Sequence, residues 1–228
     1  MLRFIGGWDN RSDSLPSCAE RVRLSLELMP AQDDVYGPWG VWRIHDEQTM
    51  ELVPVDVDDV TQLEREILTV TERVNDGPMR QPGQHIAFAR RLLGALSDPS
   101  TTAFKYTVRA GFVGRAEPYN HVVLQVESGT DASVLTRYMS ALVVAWNPAT
   151  LALATRETQR AQDKQPSEAI VGWLTYIRAG TRLDTELVDD QVAISNADGG
   201  RYITVPGTPE DPSLDHIRQV RRALGYAD

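Results

Sequence analysis

The residue types best able to do chemistry here are a carboxylate run, Asp56-x-Asp58-Asp59, four scattered histidines and one cysteine. The Asp56 run has the opening of a calcium loop, in which alternating oxygens wrap a hard cation. The glycine and glutamate such a loop needs would fall on Thr61 and Ile67, so the pattern breaks off halfway. Aspartates just ahead of an apolar-periodic stretch are better explained as a helix cap. His45, His85, His121 and His216 lack the i, i+3 or i, i+4 pairing of a helical metal site. Cys18 falls on the first turn of an expected helix, a place that can activate a thiol, but a small packed side chain is the simpler role. There is no Gly-x-Ser-x-Gly, no phosphate loop and no dinucleotide fingerprint. The residues therefore assign no catalytic group, no metal and no cofactor. A hydrolase with a dispersed site using Asp56, Asp58 and His45 stays open, because catalytic side chains converge in space rather than in sequence.

The charge is more informative. Residues Ala31 to Asp76 hold twelve carboxylates against Arg43, Arg65 and Arg73, a net −9 that equals the net charge of the whole chain. The other residues are balanced. So local an asymmetry concerns partners and solubility rather than fold. It argues against nucleic acid, whose phosphates demand clustered Lys and Arg. A basic protein surface is the complementary partner, and a solvated acidic face is the plain alternative. Tyr36, Trp39 and Trp42 lie in the same stretch. Trp39 and Trp42 have opposite parity on a strand, so one is expected in the core and the other, with Tyr36, is a candidate contact anchor.

Positioning these residues falls to an alternation of strands and helices. Leu2 to Ile5 read as a strand ended by Gly6-Gly7. A helix follows, with Pro16 in its first turn, Ser17 and Glu20 at capping-box spacing, and a stop at Pro30. Trp39–Ile44 and Met50–Val55 form strands around a turn at His45 to Thr49, the second an edge strand because Pro54 cannot donate to a ladder. Asp58 and Asp59 cap a helix with Val60, Leu63, Ile67, Val70 and Val74 on one stripe. It ends at the Asn75-Asp76-Gly77-Pro78 turn. Residues 84 to 96 fit a helix or a strand, closed by Asp98-Pro99-Ser100. Phe104–Phe112 and His121–Glu127 pair as strands. A helix capped by Asp131, with Leu135, Tyr138, Leu142 and Trp146, is expected to be the most buried. Strands at Leu151–Ala154 and Val171–Ile177 flank a polar loop at Arg156 to Ser167. A hairpin at Val192–Ser195 and Tyr202–Val205 and a last helix from Pro212-Ser213 complete the chain. The basic turn of that helix, Arg218, Arg221 and Arg222, reads as a solvated face.

The pattern is α+β, mainly antiparallel sheet with about four helices packed on it, in a single domain over residues 1–228. A chain of this length buries roughly 70–75% of its unfolded surface and needs no disulfide or metal. One cysteine excludes an intramolecular disulfide and fits a reducing compartment. The N-terminus lacks a signal-peptide core, and no run approaches the ~18 apolar residues of a membrane span. The cytoplasm is the expected location, with no membrane partner; oligomeric state is left open.

Certain residues carry a resemblance. Trp8, Arg11, Ser14, Cys18-Ala19 and Arg21 follow the pattern Trp-x-x-Arg-x-x-Ser-x-x-x-Cys-Ala-x-Arg. Gly111, Asn120-x-Val122-Val123-Leu124, Ala145-Trp146-Asn147-Pro148 and Val171-Gly172-Trp173-Leu174-Thr175-Tyr176 follow in order. In this arrangement, over nearly its whole length, the chain resembles the immunity protein 52 family of bacterial polymorphic toxin systems. Asn147 departs from the pattern, where an acidic residue is expected. The resemblance implies a strand near Ile86 to Leu93. It also implies a cytoplasmic antitoxin that binds a cognate nuclease toxin with a restriction-endonuclease-like domain, often delivered by type VI secretion, and spares the producer and its kin. It brings no catalytic residues; Trp8, Arg11, Trp146, Trp173 and Tyr176 read as structural. The expected toxin-binding residues are Tyr36, Trp39, Trp42, Asp56, Asp58, Asp59, Glu64 and Glu66, on the acidic stretch. Docking through loops at Gly114 to Asn120 and Arg156 to Ser167 is the other arrangement, and an adaptor subunit of a secretion system is a further alternative function.

Overall fold

Alternation puts Leu2, Phe4 and Trp8 on one side of strand β1 (Leu2–Trp8), and all three are buried. In the computed structural model, which describes residues 1–45, 50–75, 83–95, 101–114, 119–166 and 168–226, β1 lies inside a ten-stranded sheet. The other strands are β2 (Gly40–Ile44), β3 (Met50–Pro54), β4 (Gln84–Arg91), β5 (Thr102–Ala110), β6 (Asn120–Val126), β7 (Thr150–Ala154), β8 (Leu174–Arg178), β9 (Ala193–Ala197) and β10 (Gly200–Thr204). Their order is β3-β2-β4-β5-β6-β1-β7-β8-β10-β9, with every neighbouring pair antiparallel. The fold is α+β with an antiparallel sheet. Its helices are α1 (Leu15–Leu28), α2 (Val60–Val74), α3 (Ala132–Trp146), the short α4 (Arg156–Arg160) and α5 (Leu214–Ala223). No described helix is long and apolar enough to cross a membrane.

The period of two sorts the side chains into two layers. Phe4, Phe88, Phe104, Tyr106 and Leu124 join Leu63 and Ile67 of α2, Val22 of α1 and Leu135 and Leu142 of α3 in the main core. At the other end of the sheet the successive residues Tyr176 and Ile177 part company. Tyr176 belongs to the main core, whereas Ile177 and Ile203 pack with Ile217 and Val220 of α5 in a second cluster. Helices thus cover opposite faces at the two ends. On the second face of β4, β5, β6 and β1, Lys105 and Thr107 are exposed, and Arg109, His121, Val123 and Gln125 are half-buried.

Four of the resemblance residues, Trp8, Arg11, Arg21 and Trp146, meet at the C-terminal end of α3. Arg11 donates from Nη1 to the Trp146 carbonyl at 2.9 Å, and Arg21 to the Ala145 carbonyl at 2.6 Å. Both are carbonyls that a helix end leaves without an intrahelical partner, and positive charge is favoured there. The buried Asp13 carboxylate holds the pair, 2.9 Å from Arg11 and 3.4 Å from Arg21. Trp8 stacks on Trp146 with ring centroids 5.5 Å apart, and the Arg11 guanidinium lies 4.7 Å from the centre of the Trp8 ring. Trp146 Nε1 donates to the Tyr106 hydroxyl, which also bonds Ser25 at 2.8 Å. Cys18 is fully buried beside this cluster; burial pushes its thiol up to about 12, so it packs as an inert thiol. Gly111 has φ +80°, and a Cβ there would stand 2.6 Å from the Asp13 carbonyl. Asn147 takes the left-handed conformation with φ 45°, which Asn and Asp tolerate.

Several expectations shift. β1 runs through Gly6-Gly7 instead of ending there, because β7 packs so close that a Cβ on Gly6 would lie 2.0 Å from the Thr150 carbonyl. The cap of α1 is Ser14, which accepts from the Ser17 N–H; Ser17 and Glu20 do not form the capping box. β4 is a strand, as the resemblance implied. Val74, the last residue of the α2 stripe, is exposed where the helix leaves the core. The loop expected from Arg156 contains α4, capped by Thr155. β5 and β6 each begin and end earlier than expected, β8 starts at Leu174, and the last hairpin is shifted, turning at Asp198-Gly199 with positive φ at both. Arg221 is no solvated charge: it is buried and paired with Glu168 at 2.8 Å. The turns expected at 46–49, 76–78 and 98–100, the loop residues 115–118 and Ser167 lie outside the described residues.

Two measurements test this arrangement. Asp13→Ala leaves two guanidinium groups together without their carboxylate, and it should cost about 3 kcal/mol. This is the low end for removing one partner of a buried pair, because both arginines keep some water contact; a lowered denaturant midpoint at constant slope checks it. His85 and His121 flank Arg109 in the register of β4, β5 and β6. Burial first, then the charge of Arg109, lowers the pKa of both, despite a carbonyl partner for His121 at Tyr119. The unfolded chain therefore binds protons first as pH falls through about 6.5, so stability is full above that value and declines below it. Replacing both histidines by Gln should flatten the fall in melting temperature between about pH 7 and pH 5.

Candidate partner interface

The acidic stretch folds as a loop (residues 31–39), the β2–β3 hairpin and α2, and one arginine on β4 fastens the loop. Arg90 shares the core-facing parity of Ile86 and Phe88 and is buried. Its Nε donates to the Gly37 carbonyl at 2.5 Å and its Nη2 to the Tyr36 carbonyl at 3.2 Å, with further bonds to the Ala31 carbonyl and the Asp33 carboxylate. The guanidinium lies 5.6 Å from the Tyr36 ring and 6.0 Å from that of Trp39. The planar fork with five donors suits such a site, where a lysine would not.

The two aromatic residues beneath Arg90 belong to the core. Tyr36 meets Phe104 edge-on at 4.7 Å, and its hydroxyl donates to Glu127 at 3.1 Å. Trp39 packs against Phe104 and Tyr106. Both are buried, at 8% and 9% exposure, so neither offers a surface anchor. The parity argument holds for the third: Trp42 points to the opposite side of β2 and is half-exposed.

Among the carboxylates the structure separates two roles. Asp56, Asp58 and Asp59 are exposed at the entry to α2. Asp56 accepts from the Asp58 N–H and Asp59 from the Gln62 N–H, both at 3.0 Å, while the Gln62 side chain accepts from the Asp56 N–H. These are turn and cap bonds, which explains the half calcium loop without a cation. Glu64 is half-buried and makes no ion pair among the described residues. Glu66 is buried at 9% exposure and bound by Arg43 at 2.5 and 2.6 Å. Its place is therefore inside, bracing the hairpin against α2. The structure thus brings together Asp56, Asp58, Asp59 and Glu64 as a solvent-facing set, and withdraws Tyr36, Trp39 and Glu66 from it. Arg90 and the Arg43–Glu66 pair escaped the sequence reading. An arginine at a core-facing strand position was the one available signal, since a charge there demands partners.

Two clefts matter for the alternatives. One, of about 410 Å³, lies over β1, with Gly7, His121, Thr150, Lys164 and Tyr226 among its lining. The other, of about 290 Å³, lies between β2 and β4. Asp56, Asp58 and His45 line neither, and the exposed His45 side chain is taken up by Glu51 at 3.2 Å.

No family model matches the chain, and no curated protein matches it. Among solved structures it is similar to Pseudomonas aeruginosa T6SS protein PA0821. The identity is 11%, the alignment covers 98% of this chain and 75% of that one, and the TM-score is 0.52. At that identity the likeness is one of fold.

The two roles of the glutamates separate by mutation. Glu66→Ala should destabilise the chain by on the order of 2–3 kcal/mol, because Arg43 loses a desolvated partner, whereas Glu64→Ala should change stability by less than about 0.5 kcal/mol. Equal denaturation midpoints for the two variants would contradict the assignment.

Proposed function

We propose that this chain is an antitoxin, an immunity protein that binds and neutralises a cognate restriction-endonuclease-like nuclease toxin in the cytoplasm of the producer and its kin. The observation that carries the reading is the solvent-facing carboxylate set at the entry to α2, Asp56, Asp58, Asp59 and Glu64, none of which is neutralised by a described cation. A nuclease must present positive charge to grip its phosphates, and this surface complements it. The motif residues of the immunity protein 52 resemblance support the same reading. Four of them, Trp8, Arg11, Arg21 and Trp146, form one connected cluster around the end of α3, as residues that specify a shared fold do. The fold-level likeness to a T6SS protein agrees with a role in intercellular toxin delivery.

In this reading the carboxylates govern encounter and a few apolar contacts govern residence. Complementary potentials raise association to about 10⁸–10⁹ M⁻¹s⁻¹ at low salt, against roughly 10⁵–10⁶ without them. Exposed ion pairs add only about 0–1 kcal/mol each. Holding the toxin therefore requires an aromatic or apolar anchor, and Trp42 is the tryptophan of the acidic stretch left partly in water.

The decisive experiment identifies a nuclease reading frame adjoining the gene, co-expresses it with the chain and scores growth; absence of such a frame, or failure to protect against its product, overturns the proposal. With the purified pair, Asp56→Lys, Asp58→Lys and Glu64→Lys together should slow association at low salt by on the order of tenfold or more and flatten its salt dependence. Trp42→Ala should act on dissociation instead. Glu66 is left intact, since reversing it unseats Arg43. An unchanged association rate in the triple variant would remove this surface from consideration.

A further inference from the structure

β2 and β4 are neighbours in the sheet, yet one described residue pair joins them, Gly40 opposite Ala89. Beyond that pair the hairpin leaves β4. Main-chain groups alternate in direction along a strand. On β2 the Trp39 carbonyl accepts from the Val55 N–H at 2.9 Å, so odd-numbered residues turn toward β3 and even-numbered ones toward β4. On β4 the His85 N–H donates to Thr71 Oγ1 at 2.9 Å, and the Arg91 carbonyl accepts from the Gly37 N–H at 3.0 Å. Odd-numbered residues of β4 therefore face the hairpin side. His85, Ala89 and Arg91 all have partners there. Among the described residues Ala87 has none there, and neither does Trp42, which would be its partner in an unbroken ladder.

The gap between these two open positions is the cleft of about 290 Å³. Trp42, Met50, Val70 and Phe88 make it apolar, and Arg73 and Lys105 stand at its rim. Both cations are exposed and make no ion pair among the described residues, while Arg43, also in the lining, is neutralised by Glu66. The described lining contains no carboxylate. Open backbone donors and acceptors on both walls, an apolar floor and a positive rim describe the complement of an extended peptide with apolar and acidic side chains.

We propose that this cleft receives an extended segment of the partner protein, bearing an apolar side chain and a carboxylate, which adds as a strand between β2 and β4. This deepens, and rests on, the reading that the chain works by binding another protein. Because β2 and β4 are antiparallel, the incoming strand runs antiparallel to one wall and parallel to the other. Gly40 and Ala89 close the cleft at one end and Thr71 takes up the main chain of His85 toward the other, so the segment is short. Its negative side chain pairs with Arg73 or Lys105, opposite in sign to the contacts at the entry to α2. A partner would then be held by two patches of opposite charge, which fixes orientation as well as attraction.

The test uses the full chain and a synthetic hexapeptide of alternating Val and Glu, blocked at both ends, at about 1 mM. Its counterpart with Lys for Glu and a version N-methylated along one edge serve as controls. The Glu peptide should slow amide exchange at Trp42 and Ala87 by about tenfold or more, and both controls should fail. Arg73→Glu with Lys105→Glu, two exposed positions that leave the core untouched, should transfer the preference to the Lys peptide. Unchanged exchange at both amides, or equal responses to all three peptides, would overturn the proposal. Growth protection is scored separately. A chain that protects but ignores the Glu peptide overturns the cleft alone; one that captures the peptide but protects nothing overturns the immunity reading and leaves strand addition standing.

Discussion

Two guanidinium groups rest on the last carbonyls of α3, and most of the molecule is arranged around that contact. A buried helix ends with carbonyls that have neither water nor a following turn to satisfy them. Arg11 and Arg21 supply the donors and the positive charge, and Asp13 keeps the two cations from repelling each other. The arrangement links the loop after β1, the first turns of α1 and the end of α3. Through Trp146, Tyr106 and Ser25 it reaches the centre of the sheet and returns to α1. The structural features around it follow from the closeness this contact requires. Gly111 lets the Asp13 backbone approach, and Asn120 ties the Asp9 carbonyl to both main-chain groups of Phe112.

The same logic recurs at the acidic stretch. A segment dense in carboxylates has little reason to pack, and its loop is held by one buried cation from β4. Arg90 spends its donors on the carbonyls of Ala31, Tyr36 and Gly37 and the carboxylate of Asp33, and stacks its plane near two rings. The Arg43–Glu66 pair then ties the hairpin to α2. With these internal pairs made, Asp56, Asp58 and Asp59 remain exposed at the entry to α2, where turn and cap bonds hold the backbone while the side chains stay in water. Excess charge is thus presented on a rigid frame, the condition under which a field can orient an approaching partner.

The sheet is covered unevenly. α1, α2 and α3 lie over one face, α5 covers the opposite face at the far end, and Lys105 and Thr107 are left in solvent between. Among the described residues, the β2–β3 hairpin is tied to α2 through Arg43 and paired with β4 at Gly40 and Ala89. Following the helix draws it away from the sheet, and the cleft beside Trp42 is the geometric result. A molecule that binds by occupying another protein has a use for such an edge, since backbone groups already stripped of partners need no local unfolding to be engaged.

The sequence by itself determined most element types, though not the strand β4 or the short α4, together with the α+β class, the edge position of β3, the burial of α3 and the concentration of charge between Ala31 and Asp76. These follow from local rules: side-chain period, caps, proline's missing donor, and simple counting. It also carried the motif residues, but not the reason for them, because Arg11 and Trp146 are far apart in the chain and only folding brings a guanidinium to a helix end. Strand ends, the cap of α1 and the burial of Arg221 were settled by packing against distant partners. Tertiary structure alone decided which rings and carboxylates face outward. Trp39 and Trp42 are distinguishable by parity, but Tyr36 in a loop and Glu66 on an amphipathic helix are placed by Arg90 and Arg43, whose reach no local pattern encodes. The broken ladder between β2 and β4 belongs to the same class. Strand order and splay depend on how a hairpin is shared between a helix and a sheet, and that balance exists only once both are in place.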